Sequence, residues 1–358
     1  MLKQIMRYQI PGSTLLVKNT MDIKFLIILV ILLLLQSCKS PTGPKIGNNP
    51  PGPGRRDYTW TVDTLEAIEG YMSLYYLWGA AANDLWAVGS AYRNADCIWH
   101  YNGVKWERTP ASGLIDPCGI WGSGNNNIWM GSSDASFWHY DGLSWSRICQ
   151  YKIEGYDYAL TQRMDGIAPN EIYAVGFAQK ENGEYKGIIM HYDGKNWEQV
   201  SIPDQIIILS NIYYNQQTDK YLISGFVNET GENIIYLFDR KTLKIINSCY
   251  NNCWLNKVKD KIYLNDGTQR IYRYDKTKFN LFKDFTGTNY GGRMWGRSEI
   301  DFFTDNRDGI GHYNGTNLVT VFKRFSNDWS IYESIVFEND FFSTWRNDTT
   351  ISIHGKLR

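Results

Sequence analysis

The chain has 358 residues, in which 37 Lys+Arg are balanced by 37 Asp+Glu. A neutral chain lacks the basic excess of a general nucleic-acid-binding protein. A hydrophobic content of 43% and a mean hydropathy of −0.40 exclude a polytopic membrane protein and a wholly disordered chain. Aromatic residues make up 15% of the chain, and it contains 32 Gly. This composition favours many short strands joined by turns, in one large β domain or two ordinary domains.

An apolar segment near the N-terminus predicts export. Every residue from Phe25 to Leu35 is apolar, and Lys24 precedes the segment. As a helix it would span only about 16 Å, which is short for a membrane span but typical of the core of a secretory signal. Residues 1–37 are therefore predicted to be a signal peptide. Met21 is an alternative start of translation, because a conventional amino-terminal region begins there.

The end of this segment resembles the lipobox of bacterial lipoproteins, because the small residue Ser37 directly precedes Cys38. The resemblance implies cleavage before Cys38 and lipidation of its thiol. The alternatives are an ordinary signal peptide or an uncleaved anchor with an incidental cysteine. Residues 38–57 are rich in Pro and Gly and predict a tether. The residue after the cysteine is Lys39 and not the Asp that resembles a signal for retention in the inner membrane. The resemblance therefore implies an anchor in the outer membrane, and the periplasmic side is favoured.

Residues 58–358 repeat one pattern. Each clear copy contains a Trp-Gly pair, a strand-like segment such as Asn83–Gly89, and a His-Tyr-Asp/Asn-Gly hairpin followed by Trp. The apolar pair that opens the second strand recurs at spacings of 43, 44, 49, 41, 40 and 39 residues. Its first residues are Leu85, Ile128, Ile172, Tyr221, Ile262, Phe302 and Phe341. Repeats of about 40–50 residues with four short strand-like pieces predict the blades of a β-propeller.

The seven copies predict an all-β fold, a seven-bladed propeller of four-stranded antiparallel blades. Six or eight blades are the alternatives if a weak copy was miscounted. The seventh copy lacks its fourth strand, whereas the segment from Tyr58 to Val62 alternates like a strand and precedes the first copy. This N-terminal segment is therefore predicted to be the outer strand of the last blade and to close the ring, which leaves only short, protected sheet edges.

The repeats resemble those of exported bacterial propeller proteins with Trp-Gly, Asn-Asp-Leu-Trp-Ala-Val-Gly and His-Tyr-Asp-Gly-x-x-Trp motifs, a kelch-like or Asp-box-like group. The resemblance covers roughly residues 58–358 and is strongest in the first three copies. It implies a propeller fold and an extracytoplasmic address. It implies less about function, because many members of the group have no established activity.

Several residue types that suggest chemistry are better explained by the repeat. Four of the five histidines occupy one repeat position and would point away from each other in different blades, so they cannot converge on one metal ion. These are His100, His139, His191 and His312. They are predicted to form hydrogen bonds across the hairpin. The repeated tryptophans are predicted to pack between blades rather than to form a carbohydrate platform.

The Asp-Gly pairs at Asp141 and Asp193 predict tight two-residue hairpins rather than catalytic acids. The sequence contains no nucleophile elbow, metalloprotease motif or phosphate loop. We therefore predict neither a metal site nor a cofactor.

Five cysteines follow Cys38, and an exported protein can oxidise them. Cys249 and Cys253 are close in sequence at the junction of two copies, and we predict a disulfide between them. The other three, Cys97, Cys118 and Cys149, are predicted to be buried thiols.

Loop lengths point to a binding face. Turns between strands one and two and between strands three and four are short in almost every copy, whereas the other two connections vary widely and share the opposite face. Varied loops on a rigid scaffold are where recognition usually resides, and Tyr and Arg are enriched among interface anchors. The predicted binding residues are Tyr92, Arg93, Tyr156, Tyr158, Arg163, Tyr290 and Arg293.

The sequence favours a non-catalytic, lipid-anchored binding or scaffold module that recognises a protein or a glycan through this face. The alternative is a periplasmic propeller glycoside hydrolase or lyase, because the propeller fold hosts both kinds of function. An enzyme would gather acidic or nucleophilic groups over the central channel. Asp157, Asp165 and Glu184 lie on the same face, but their spacing does not show that any two approach each other. The expected contacts are a protein or glycan ligand and a membrane, with no nucleic acid.

Overall fold

The computed structural model describes residues 54–203, 206–250 and 253–358. The predicted signal peptide, Cys38 and most of the predicted tether lie outside the described residues. The described part forms seven four-stranded antiparallel sheets, in which the first strands of neighbouring blades lie next to each other around a central channel. No helix within the described residues is long and apolar enough to span a membrane.

The strands of the first four blades follow the chain in order. Blade 1 contains β2 (Met72–Ala81), β3 (Asp84–Ala91), β4 (Ile98–Tyr101) and β5 (Trp106–Arg108), with a short 3₁₀ helix at Asn94–Asp96. Blade 2 contains β6 (Pro117–Gly124), β7 (Asn127–Ser132), β8 (Ser136–Tyr140) and β9 (Trp145–Gln150). Blade 3 contains β10 (Tyr158–Ala168), β11 (Glu171–Gln179), β12 (Tyr185–Tyr192) and β13 (Trp197–Gln199). Blade 4 contains β14 (Ile208–Asn215), β15 (Lys220–Val227), β16 (Glu232–Phe238) and β17 (Leu243–Cys249).

The last three blades complete the ring. Blade 5 contains β18 (Trp254–Val258), β19 (Lys261–Asn265), β20 (Arg270–Tyr274) and β21 (Phe279–Asp284). Blade 6 contains β22 (Tyr290–Ser298), β23 (Asp301–Asn306), β24 (Gly309–Tyr313) and β25 (Leu318–Lys323). Blade 7 contains β26 (Ser330–Val336), β27 (Asp340–Arg346), β28 (Thr350–Leu357) and the N-terminal strand β1 (Tyr58–Leu65).

The N-terminal strand closes the ring as predicted. Strand β1 pairs antiparallel with β28, and Trp60 lies opposite Gly355. A Cβ atom at position 355 would lie 2.5 Å from the Trp60 ring, so glycine at this position leaves room for the indole. The seven-bladed fold predicted from the repeat spacings is confirmed.

The core lies between the blades and is built largely from the second strands. The second residue of the apolar pair is at most 3% exposed in every blade. These residues are Trp86, Trp129, Tyr173, Leu222, Tyr263, Phe303 and Phe342. Trp129 of blade 2 packs against Tyr192 and Trp197 of blade 3, with ring centroids 4.6 and 5.6 Å apart. Large rings at a fixed place in the repeat therefore join one blade to the next.

The histidines have the predicted structural role, but their hydrogen bonds run from the third strand to the second strand rather than across the hairpin that follows the third strand. In each case the ring Nε2 lies 2.7–3.1 Å from a side-chain oxygen of the residue that opens the second strand. The pairs are His100 with Asp84, His139 with Asn127, His191 with Glu171, His312 with Asp301 and His354 with Asp340. The imidazole also packs on the aromatic ring of the second strand, as His100 does on Trp86 at 4.3 Å.

The hairpins between the third and fourth strands differ from the prediction. Tyr101 pairs with Trp106, so four residues form the loop instead of two. The side-chain oxygen of Asn102 accepts hydrogen bonds from the backbone N–H groups of Val104 and Lys105 at 3.0 and 3.1 Å. Only one following residue, Gly103, needs a positive φ, which is +90°. The two-residue prediction was wrong because the Asn or Asp side chain itself organises a wider turn.

The structure joins Cys249 and Cys253 in a disulfide with their Cα atoms 6.5 Å apart, within the range that a disulfide spans. Of the remaining thiols, Cys97 is buried, whereas Cys118 and Cys149 are half-buried. The predicted burial of Cys118 and Cys149 is therefore only partial, because both lie near the loop ends of their strands.

The pairing of Cys249 with Cys253 stays a prediction, which thiol counting can test. Apart from Cys38, we expect three cysteines of the denatured protein to react with an alkylating agent before reduction and five after it. Intact-mass spectrometry reads both numbers. Five alkylated thiols before reduction would show that the disulfide does not form.

Candidate functional site

Exposed apolar side chains are concentrated on one face of the propeller. We call it the variable-loop face, and it carries the connections between second and third strands and those from one blade to the next. Among the described residues, nine large apolar side chains in or beside these connections are exposed: Ile68, Tyr71, Tyr92, Leu114, Tyr158, Ile206, Tyr250, Trp254 and Phe325. Only three occupy the turns of the opposite face: Val104, Leu143 and Ile167. The larger number of exposed apolar side chains on this side makes it the candidate contact surface.

Consecutive blade junctions on this face carry depressions. One of 290 Å³ lies between the connections of blades 1 and 2, and one of 440 Å³ lies between those of blades 2 and 3. Ser133 and Asp134 line both depressions, so the two are adjacent. We call the two adjacent depressions together the rim groove. A third depression, of 400 Å³, lies at the junction of blades 7 and 1.

Four of the predicted binding residues lie at the rim groove. Tyr92 lines its first part, and Tyr156 and Tyr158 line its second part. Arg93 lies beside Tyr92, forms an exposed ion pair with Glu69, and places its guanidinium 5.8 Å from the Tyr92 ring. Cations also lie over Tyr156, because the Nζ atoms of Lys180 and Lys186 are 5.2 and 4.8 Å from its ring centroid. Asp116, Asp134 and Asp157 also line the groove, which therefore combines aromatic rings with charged groups of both signs.

Tyr290 is not a surface residue, and its prediction as part of the binding face was wrong. Its side chain is 1% exposed and packs against Phe285 at 5.4 Å. Its hydroxyl donates a hydrogen bond to the carbonyl of Gly292 at 2.9 Å. The residue opens the inner strand β22 and turns its ring into the blade rather than into the preceding connection.

Arg163 and Arg293 lie in the central channel rather than on the rim. Both line a cavity of 240 Å³, the channel cavity, which is enclosed by the first strands of six blades. Its aromatic and charged lining residues are Tyr76, Tyr213, Trp254, Trp295, Arg163, Lys257, Arg293 and Glu333. Lys257, Trp254 and Glu333 were missed by the sequence reasoning. Trp254 could have been identified from the sequence, because it does not occupy a repeat position as the other tryptophans named above do.

Bulges in the inner strands explain why so many polar side chains face the channel. The register against the second strand shifts between Thr161 and Arg163 and between Leu209 and Asn211. Neighbouring residues of a regular strand point to opposite faces, but a bulge re-aims them. Consecutive residues accordingly line the channel cavity together, as in the pairs Gln162–Arg163 and Ser210–Asn211.

Charged side chains cross the channel in pairs. Arg163 of blade 3 contacts Glu333 of blade 7 at 2.6 Å, and Lys257 of blade 5 contacts Asp165 of blade 3 at 2.8 Å. Glu333 also accepts a hydrogen bond from the indole N–H of Trp295 at 2.8 Å. Burial, the largest single effect, lowers the pKa of the Arg163 guanidinium, but Glu333, Tyr76 and Tyr213 together outweigh it, so the pKa is raised.

The acidic residues that an enzyme would need are not available as a free pair. Asp165 is bound to Lys257 in the channel, whereas Asp157 accepts the backbone N–H of Glu181, and Glu184 pairs with Lys180 in an exposed connection. A glycosidase uses two carboxyl groups that flank the substrate. Within the stretches that the structure describes, no three His, Cys, Asp or Glu residues group together as metal ligands.

The fold and its closure define the protein as a seven-bladed β-propeller. Its structure is similar to that of YCF48 bound to D1 peptide, with a TM-score of 0.60 and 12% identity over 86% of this chain and 100% of that one. It is also similar to virginiamycin B lyase from Staphylococcus aureus, with a TM-score of 0.61 and 10% identity over 84% and 100% of the two chains. The WD40 propeller domain of Doa1 gives a TM-score of 0.53 and 9% identity over 82% and 96%. Neither a protein-family model nor a curated protein matches the sequence, so these similarities concern the fold.

Proposed function

We propose that this protein is a non-catalytic binding or scaffold module of the bacterial cell envelope, which recognises a protein segment on the variable-loop face. The observation that carries the proposal is the gathering of exposed apolar side chains on that face, nine against three within the described residues. Protein interfaces are enriched in Tyr, Trp, Phe and Arg, and the rim groove offers Tyr92, Arg93, Tyr156 and Tyr158.

The form of the rim groove favours an extended segment as ligand. Its two adjacent parts follow the junctions from blade 1 to blade 3, so an extended peptide can contact both parts, whereas a compact small molecule would occupy one of them. YCF48, a propeller of similar fold, has been solved bound to D1 peptide. Aromatic rings beside polar groups also suit a glycan. The binding test below distinguishes a glycan ligand from a protein ligand.

The hydrolase or lyase function receives less support. Virginiamycin B lyase has a similar fold, but a similarity at 10% identity does not identify catalytic residues in this chain. The channel carboxylates Glu333 and Asp165 are both held in ion pairs. Such pairing suits a rigid scaffold better than proton transfer.

The proposed address is the outer membrane, on its periplasmic side, reached through lipidation of Cys38. The support comes from the sequence: an apolar export segment, a small residue before the cysteine, and a Pro/Gly-rich stretch before the propeller. A tether of this composition would let the propeller turn its variable-loop face toward a partner.

Site-specific photocrosslinking tests the binding face. We expect p-benzoylphenylalanine at position 92 or 158 to capture a defined protein in the producing bacterium, and the same group at position 104 or 143 on the opposite face to capture none. The combined Tyr92→Ser, Tyr156→Ser and Tyr158→Ser variant should then bind the captured protein at least about tenfold more weakly, a loss of about 1.4 kcal/mol. The control is the combined Val104→Ser and Leu143→Ser variant, which should bind as the wild type does.

Two outcomes would contradict this proposal. Crosslinks only from positions 104 and 143 would place the partner on the opposite face. Unchanged binding by the triple variant would exclude the rim groove. A rim variant that loses retention on immobilised envelope glycan, with no crosslinked protein, would identify a glycan ligand instead.

A further inference from the structure

The carboxylates in and beside the channel cavity are already occupied. Glu333, which lines the cavity, accepts from Arg163 and Trp295, and Asp165, which holds Lys257, also accepts from the backbone N–H of Tyr214. A buried carboxylate with charged and neutral donors already bound has little acceptor capacity left for a ligand.

Several donors on the cavity wall have no partner. The hydroxyls of Tyr76 and Tyr213 and the indole N–H of Trp254 line the cavity, and none of the three has an acceptor among the described residues. The Nε of Arg293 is buried and also lacks an acceptor there. Lys257 uses one hydrogen bond on Asp165, although an ammonium group has three donors. Of these donors only the Arg293 Nε is buried, and buried donors without partners are rare and costly. The others lie open to the cavity, where a ligand that supplies acceptors can reach them.

The charged groups on the cavity wall also favour a ligand that supplies acceptors. Three cations, Arg163, Lys257 and Arg293, line the cavity, together with a single carboxylate, Glu333. The carboxylates that pair with Lys257 and Arg293, Asp165 and Asp305, are not among its lining residues, so the wall itself presents more positive than negative groups. Burial also raises the pKa of Tyr213 to about 12, so its hydroxyl keeps its proton at neutral pH and can only gain by donating it in a hydrogen bond.

The cavity also has an apolar platform. Trp254 is 39% exposed, and the guanidinium of Arg293 lies 5.5 Å from its ring centroid. An open indole face beside spare donors suits a flat ring that carries an anionic group. The volume of 240 Å³ lies just below the usual range of small-molecule sites, about 300–1,000 Å³, and therefore limits the ligand to a small molecule.

We propose that the channel cavity binds a small organic anion, with its carboxylate or phosphate oxygens on Lys257, Tyr213 and Tyr76 and its flat apolar part on Trp254. This function is separate from protein recognition at the rim groove, because the two sites share none of their lining residues.

Calorimetric titration and thermal unfolding with three probes test this site. Phenylacetate and phenyl phosphate carry the two anionic groups on the same ring, and benzyl alcohol is the neutral control. We expect at least one anion to bind and to raise the unfolding temperature in a concentration-dependent way, whereas benzyl alcohol does neither. The anion that binds more tightly decides between a carboxylate and a phosphate ligand.

Two substitutions then locate the bound anion. Tyr213→Phe removes a hydroxyl that has no partner in the free protein, so the fold should be unaffected, and binding should weaken about tenfold or more because a hydrogen bond to a charged group is lost. Trp254→Leu removes the platform and should weaken binding as well. Tyr158→Phe, at the rim groove, is the matched control and should bind the probe normally.

Failure to bind either anion, equal binding of benzyl alcohol, or unchanged binding by both channel variants would overturn the proposal. Crosslinking at the rim groove would not be affected by any of these results, so the two proposals fail independently.

Discussion

The Trp129→Ala variant is expected to lose about 3–5 kcal/mol of unfolding free energy, the usual cost of removing a buried tryptophan side chain. Trp129 is 3% exposed and packs against Tyr192 and Trp197 across the boundary between blades 2 and 3. Its indole N–H also donates to the side-chain oxygen of Asn127 at 3.2 Å. Alanine would leave a cavity between two blades, because both sheets are held by their own backbone pairing and cannot collapse into the space.

Urea unfolding followed by circular dichroism measures this loss as a shift of the midpoint. The control is Leu143→Ala in the same blade, because Leu143 is 89% exposed and surface changes usually stay within about 0.5 kcal/mol. Trp129→Phe should lie between the two, since it keeps an aromatic ring. A loss below about 1 kcal/mol in Trp129→Ala would show that the ring does not join the blades.

The Cys38→Ala variant is expected to move from the membrane fraction to the soluble fraction and to lose all incorporation of a fatty-acid probe. Cys38 lies outside the described residues, and this prediction follows from the resemblance of its surroundings to a lipobox. A single acyl chain anchors a protein only marginally, so stable attachment needs more than one. The bacterial lipoprotein modification would supply several chains at this cysteine.

Ser40→Ala is the matched control, because it changes a small residue of the same segment and leaves the cysteine in place. It should remain membrane-bound and labelled. Labelling of Cys38→Ala at the wild-type level would contradict the lipid anchor. A Cys38→Ala protein that stays in the membrane, with neither it nor the wild type labelled, would identify an uncleaved apolar anchor instead.

The sequence predicted the elements that recur. The spacing of the apolar pairs predicted the blades, and the alternation from Tyr58 to Val62 predicted the strand that pairs with β28. The repeated histidine position predicted a structural hydrogen bond, which His100 forms with Asp84 of the second strand at 2.7 Å, rather than across the hairpin after the third strand. Repetition made these predictions possible, because each blade needs the same residue types at the same places to pack on its neighbour.

Prediction of the candidate sites was less complete, for a different reason in each case. The prediction was correct for Tyr92, Tyr156 and Tyr158, which lie at the rim groove, because the lengths of the variable loops can be read from the sequence. The assignment of Tyr290 to the binding face was wrong because the sequence around it did not show where strand β22 begins. Glu333, which Arg163 meets from another blade, was missed because residues 163 and 333 are distant in sequence and no repeat position relates them.

The amino-acid sequence by itself determined the blade repeat and the way the ring closes, because these depend on local composition and on spacing along the chain. Only the tertiary structure decided which side chains meet in the channel. Bulges in the inner strands re-aim consecutive residues such as Gln162 and Arg163, and closure of the ring brings blade 3 opposite blade 7. The resulting surplus of donors is a property of the closed ring, since it arises from side chains that approach each other only when all seven blades are in place.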